Sequence, residues 1–341
     1  MNSAKMLFVV GNSRSGTTMM GRILGNHFDV FTFGELHFFG QLWSPAVSTK
    51  LNQPDAETLA AKLFCIQREG YRTHGNAQSF EQDARTFCET LTNFPIDPAE
   101  LYSEFLSYEA SLHGKTIPCD QTPRNVFYID EILKYYPNAK IINMIRDPRD
   151  VLLSQKRKWK RRFLGGSDMP IKESLRDWIN YHPITINKIW HTAVSTTDRF
   201  TDNARVMTIY FEKLLENPEA TVSRLCNFLD IEYDKSLLQV PQVGSSVNTD
   251  KPGQLGINPE RAGNWNDSNK NVSNLSSSEI YISQKLNGTL MQKHNYMPIS
   301  IRPNVFGLTI NILSFPIKLV LAFLCNLDRI KNIRETLKRR F

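Results

Sequence analysis

Two rhythms of apolar and polar residues run along this chain. Short, mostly apolar runs at Leu7 to Val10, Val30 to Phe33, Ile141 to Ile145 and Val206 to Tyr210 have the length of strands buried on both faces. Between them the apolar residues return every three or four positions, as in Met19, Met20, Ile23 and Leu24, or Leu101, Phe105, Leu106 and Leu112. Phe127, Ile129, Ile132, Leu133 and Tyr136 repeat the pattern, as do Val222, Leu225, Phe228 and Leu229. Pro54-Asp55, Asp97-Pro98 and Thr122-Pro123 mark helix starts, and a distortion is expected near His182-Pro183 inside the helix from Trp178 to Trp190. Strands alternating with helices predict an α/β domain, with a central, mainly parallel sheet of about five strands and helices on both faces.

The first strand ends at Gly11-Asn12-Ser13-Arg14-Ser15-Gly16-Thr17-Thr18, a Gly-bounded polar loop leading into a helix. That order suits an anion, because the N–H groups of a helix start have no intrahelical partner. The spacing is that of a Walker A motif, but Thr17 stands where the lysine belongs, which disfavours ATP or GTP as spent cofactor. The cation is Arg14 instead. Alone, such a loop is also ordinary turn chemistry. A second anion candidate is Arg146, at the end of the run 141–145, with Ser154 eight residues on; a surface turn pairing Arg146 with Asp147 or Asp150 is its plain alternative.

Taken together, these segments resemble sulfotransferases that use 3′-phosphoadenosine 5′-phosphosulfate (PAPS). GNSRSGTT is similar to their 5′-phosphosulfate loop, which implies that Ser13, Arg14, Ser15, Gly16, Thr17 and Thr18 hold that end of the cofactor. KIINMIRDPRDVLLSQ resembles their 3′-phosphate segment, which implies the same of Arg146 and Ser154. Arg261-Ala262-Gly263-Asn264-Trp265 is similar to the covering loop, implying cofactor contacts from Arg261 and Gly263. In HFDVFTFGELHFFG, similar to a DV-xx-GE segment of the protein-tyrosine and related enzymes, Glu35 falls on the general base, with His37 as a competing base. Arg14 would stabilise charge on the departing phosphate. Two departures stand out: Gln121 replaces the lysine of a KTP pattern, leaving Arg124 or Lys115 as substitute cations, and Phe211 occupies a usual tyrosine position.

The resemblance implies sulfuryl transfer from PAPS to an acceptor hydroxyl, leaving adenosine 3′,5′-bisphosphate (PAP), with no metal. Residues 1–300 are expected to form the sulfotransferase domain, and 48–114 a helical insertion shaping the acceptor pocket. A non-catalytic nucleotide-anion binder and a P-loop kinase are the alternatives. The formal charge of +7 lies largely in Lys156 to Arg162 and Arg329 to Arg340, and no nucleic-acid module accompanies it. Five scattered cysteines and an immediate first strand lead to the expectation of a cytoplasmic protein without signal peptide or Golgi-type anchor. The tail, 301–341, is apolar from Val305 to Leu327 and then basic. Pro316 and Lys318 argue against a clean span, so the expectation is a segment on an anionic membrane surface, at its inner face, with a helix packed on the domain or on a partner as the plain alternative. A glycan, glycolipid or other membrane-proximal acceptor follows from that placement.

Overall fold

The computed structural model describes residues 5–46, 49–71, 75–160, 170–242, 253–261, 265, 275–330 and 332–340. Along the first half of the chain run β1 (Met6–Gly11), α1 (Thr17–Gly25), β2 (Val30–Thr32), α2 (Gln53–Glu69), α3 (Glu81–Glu89), α4 (Pro98–Leu112), β3 (Ile117–Asp120), α5 (Ile129–Tyr135) and β4 (Ala139–Ile145). Then follow α6 (Pro148–Lys156), α7 (Ile171–Asn180), α8 (Pro183–Asp198), β5 (Val206–Tyr210), α9 (Phe211–Glu216), α10 (Pro218–Leu229), α11 (Ser277–Lys293), α12 (Val305–Leu324) and α13 (Ile333–Arg340).

The five strands form one parallel sheet in the order β2-β3-β1-β4-β5. From β1 the chain goes first to one side and then crosses to the other. The carboxyl ends of β1 and β4 therefore flank the reversal point, where open α/β sheets bind ligands. Every residue of β1 is buried, and its side chains alternate between two cores. Phe8 and Val10 join Phe64, Leu101 and Phe105 from α2 and α4, whereas Leu7 and Val9 join Met20, Ile23, Leu225 and Leu229 from α1 and α10. The 48–114 block is thus the layer that covers one face of the sheet.

Two local expectations need correction. Leu112 is not on the buried face of α4; it lies at the frayed last turn and is 56% exposed. The distortion near Pro183 separates two helices outright, with the His182 ring capping α8 through Ile184 N–H at 3.2 Å. Trp190 is buried in the core, but Trp178 is half exposed.

Pro316 does not interrupt the tail helix, and α12 runs unbroken through it, capped by Asn304, against α7, α8 and α11. Lys318 turns inward, its Nζ 3.2 Å from the Trp178 carbonyl and 3.6 Å from the centre of the Trp178 ring. By length and composition α12 could cross a membrane, yet the domain covers one of its sides. Beyond it, Arg339 of α13 clamps back onto Glu131 and the Phe127 carbonyl.

A buried carboxylate ties the layers together where the sheet ends. Asp120 accepts hydrogen bonds from Tyr102 OH of α4 (2.9 Å), Thr122 Oγ1 (2.6 Å) and Asn125 Nδ2 (2.6 Å). Thr122 Oγ1 in turn accepts Leu36 N–H at 3.0 Å, fixing the loop after β2. Burial, above all, pushes the Asp120 carboxyl up to about 6. Since its folded value exceeds the unfolded one, this group favours the folded state below about pH 4 and loses that contribution as pH rises through 6. Asp120→Asn brings two N–H donors where the acid, protonated at pH 4, brings one O–H, and should cost roughly 1–3 kcal/mol near pH 4 in urea melts. The gap between variant and parent should narrow on going to pH 7.

Candidate active site

Glycine is required at both ends of the first loop. Gly11, in register with Met144 and at φ 148°, has no room for a Cβ, which would lie 2.4 Å from the Met144 carbonyl oxygen. Gly16, at φ 96°, would drive a Cβ to 2.3 Å from the Phe211 ring. Between them Ser15 N–H closes a turn onto Asn12 O at 3.1 Å, and Arg14 takes up the left-handed φ of 78°. With Gly16 as N-cap, no side chain caps the start of α1. Ser15 Oγ is buried without a hydrogen-bond partner among the described residues. Thr17, at the Walker-lysine position, is buried and receives Gln121 Nε2 at 3.4 Å. The result is a small, donor-lined cradle of the kind that takes an anion.

Arg146 leaves β4 directly against this cradle. Its Nη1 lies 3.5 Å from the Arg14 carbonyl, its Nη2 donates to the Arg261 carbonyl at 2.9 Å, and Asp150 sits 3.4 Å away. Its guanidinium lies 4.4 Å from the centre of the Phe211 ring, so one aromatic ring is packed between Gly16 and Arg146. Arg146 Nε is buried with no partner among the described residues. Arg14 Nε donates to Ser154 Oγ at 2.8 Å, so the loop and the β4–α6 segment meet through both pairs. Ser13, Thr18 and Arg261 line the same cleft. The Arg261 guanidinium donates to Gln242 O at 2.6 Å, and burial, then Arg22 and Arg146, lower its pKa. Gly263 lies outside the described residues.

Several positioning residues escaped the sequence reading. Trp265 Nε1 donates to Asp150 Oδ1 at 2.9 Å, docking the Trp265 side chain on α6. Arg149 lies 4.9 Å from the Trp265 ring and is held by Asp147 through contacts of 3.0 and 2.6 Å. Trp190 Nε1 holds the Arg146 carbonyl at 2.9 Å. Only the tryptophan in the RxGxW-like segment carried a signal of this.

At the other end, Glu35 follows β2 with its side chain 43% exposed, and His37 Nε2 lies 3.2 Å from its carboxylate. The His37 ring packs at a tilt against Tyr71, with centroids 4.1 Å apart, and is almost wholly buried, so it stands behind Glu35 as its partner. Of the two substitute cations, Lys115 is excluded by position. Its Nζ is tied to the Phe28 and His27 carbonyls at 2.6 and 3.2 Å, before the start of β3 and so at the opposite edge of the sheet. Arg124 does line the cleft, and it makes no hydrogen bond or ion pair with any described residue. Burial lowers its pKa, while Tyr71, Tyr128 and Glu35 act in the opposite direction.

The cleft that joins these groups has a volume of about 1340 Å³ and runs from the Arg14 loop past Glu35 and Arg124 to Phe315, Leu319 and Phe323 of α12. Single small-ligand pockets measure roughly 300–1,000 Å³. There is room for a donor and an acceptor side by side.

The chain is similar to several known proteins. A Caenorhabditis briggsae protein named "Putative protein-tyrosine sulfotransferase" is 27% identical over 252 residues, 72% of this chain and 73% of that protein. The Drosophila melanogaster protein-tyrosine sulfotransferase is 21% identical over 235 residues, 68% of this chain but 39% of that one. Among solved structures, the sulfotransferase domain from the curacin biosynthetic pathway gives a TM-score of 0.49 at 17% identity, covering 84% of this chain and 97% of that one. The model of the sulfotransferase family matches residues 7–235, which include both anion-binding segments and all five strands, and the chain belongs to that family.

Proposed function

We propose that this sulfotransferase takes its sulfuryl group from PAPS and gives it to a hydroxyl on a membrane-proximal acceptor such as a glycan or glycolipid, residues 1–300 forming the catalytic domain. The observation that carries the donor assignment is the pair of contacts joining Arg146 to the Arg14 backbone and Arg14 to Ser154. The site fits such a group. Two glycines clear space that a Cβ would fill, and Ser15 Oγ and Arg146 Nε are buried donors still lacking partners among the described residues. Ser13 to Thr18 would hold the 5′-phosphosulfate, and Arg146, Ser154 and Arg261, with Gly263 by resemblance, the 3′-phosphate. PAPS, when bound, supplies an activated sulfuryl group and leaves as PAP.

Glu35 takes the proton of the acceptor hydroxyl, and His37 orients its carboxylate. Arg14 stabilises charge on the phosphate side, its guanidinium held on Ser154. Gln121 and Arg124 supply the donor and the charge that the family lysine would have given. The tail supports the acceptor class, because α12 exposes an apolar side and Arg334 and Lys338 of α13 are exposed as well. This arrangement suits an anionic leaflet at the cytoplasmic face. The names of the two relatives favour a second acceptor, a tyrosine side chain.

Labelled PAPS offered with a membrane extract, or with a tyrosine-bearing peptide, tests donor and acceptor together. Glu35→Gln should lower kcat by about 10²–10⁴-fold while PAP affinity stays unchanged. Normal turnover by that variant removes Glu35 from the chemistry. Arg146→Ala should weaken PAP binding by about 10–150-fold, the loss of roughly 1.5–3 kcal/mol of charge-assisted bonding. PAP should also raise the melting temperature of the parent protein and not that of Arg146→Ala. A parent protein that binds PAP no better than AMP would overturn the donor assignment.

A further inference from the structure

We infer that the acceptor is a hydroxyl-bearing amphiphile drawn from the bilayer, its alkyl chain lying along the inner side of α12 while its hydroxyl reaches Glu35. The inference rests on the reading that Glu35 activates the acceptor and that the tail meets lipid. It follows from how α12 divides its two sides. Phe306, Ile310, Leu313, Ile317, Val320 and Leu324 recur at helical spacing and are 49–76% exposed, forming one apolar stripe. At about 1.5 Å per residue that stripe is roughly 30 Å long. Lys318, the one charge in the helix, is withdrawn onto Trp178. The stripe carries no charge and faces away from α7, α8 and α11.

The inner side is part of the active-site cleft. Phe315, Leu319 and Phe323 line it, and Val320 belongs both to the cleft and to the outer stripe, so the apolar surface continues from outside to inside. The far end of the same cleft holds Glu35, Gln121 and Arg124. One cavity therefore joins a polar end at Glu35 to an apolar wall on α12. Asn180, Asn326, Arg329, Lys158 and Asp177 line it as well, and each is already engaged, Asn326 with Asn180, Arg329 with Glu173 and Lys158 with Asp177. An alkyl chain laid along Phe315, Leu319 and Phe323 loses nothing there, whereas a peptide backbone or a glycan would compete for side chains that already have partners. The exposed basic residues of α13 set the mouth of the cleft against anionic headgroups, the source of such a chain.

The full chain, saturated with PAP, can be titrated with hexyl, octyl and decyl maltoside below their micelle concentrations. Affinity should rise roughly fourfold per added methylene. Ala322→Trp, which fills the cleft beside Phe323, should keep the hexyl affinity and lose the gain from longer chains; Leu319→Asp should do the same should the larger residue disturb folding. The outer pair Leu313→Asp with Ile317→Asp should abolish binding to vesicles of phosphatidylcholine and phosphatidylserine, yet leave the decyl affinity intact. Equal affinity for all three chain lengths, or a gain lost in the outer variant and kept in both inner ones, overturns the inference. Failure of the parent chain to bind the vesicles overturns the bilayer as source. PAP binding is read separately, so its absence would sink the donor assignment while the chain-length series still judges the acceptor.

Discussion

Like charges gathered at one sheet edge are the constraint on which the site depends. Arg14, Arg22, Arg146 and Arg261 all line the cleft where β1 and β4 end, and Arg22 and Arg146 help to lower the pKa of Arg261. Bringing guanidinium groups together out of water is unfavourable unless anions join them. Among the described residues, Asp150 lies against Arg146 and accepts a hydrogen bond from Trp265. A cofactor phosphorylated at both ends of an adenosine would bring further anions, whereas a metal ion would aggravate the repulsion.

Holding those charges in place takes several parts of the fold. Trp190 fixes the backbone of Arg146, Phe211 supports its guanidinium, and Ser154 holds the Arg14 side chain. On the acceptor side, Asp120 links α4 through Thr122 to Leu36, the neighbour of Glu35. The helical layer of residues 48–114 therefore does more than cover the sheet. Through Tyr102 it helps to fix the loop that carries Glu35, the proposed base, so core packing and the placement of that carboxylate share one hydrogen-bond network.

The tail joins the same cleft from a third direction. A lysine and a proline in an apolar run argue against a clean span when read in order. In the folded chain Lys318 spends its charge on an aromatic ring and a carbonyl, and Pro316 lies within an unbroken helix. The outer stripe becomes more apolar than the sequence implies, and the inner side becomes cavity wall.

Much of the fold was legible because its determinants are local. Strands buried on both faces read as apolar runs, and β1, β4 and β5 stand where those runs are. β3 was harder to see, because Ile117–Asp120 contains a proline and ends in a carboxylate, features that ordinarily argue against a central strand. Gly11, Gly16, Arg14 and Arg146 announced themselves because a turn needs glycine and an anion needs arginine. The sequence by itself thus determined the sheet, the loop and the groups proposed for either end of the cofactor. Only the tertiary structure decided that Lys115 serves the wrong edge, that His37 backs Glu35, that Phe211 fills the space over Gly16, and that α12 walls the cleft. Most of those outcomes depend on groups far apart in sequence meeting in the fold, and no pattern within a few residues encodes such a meeting.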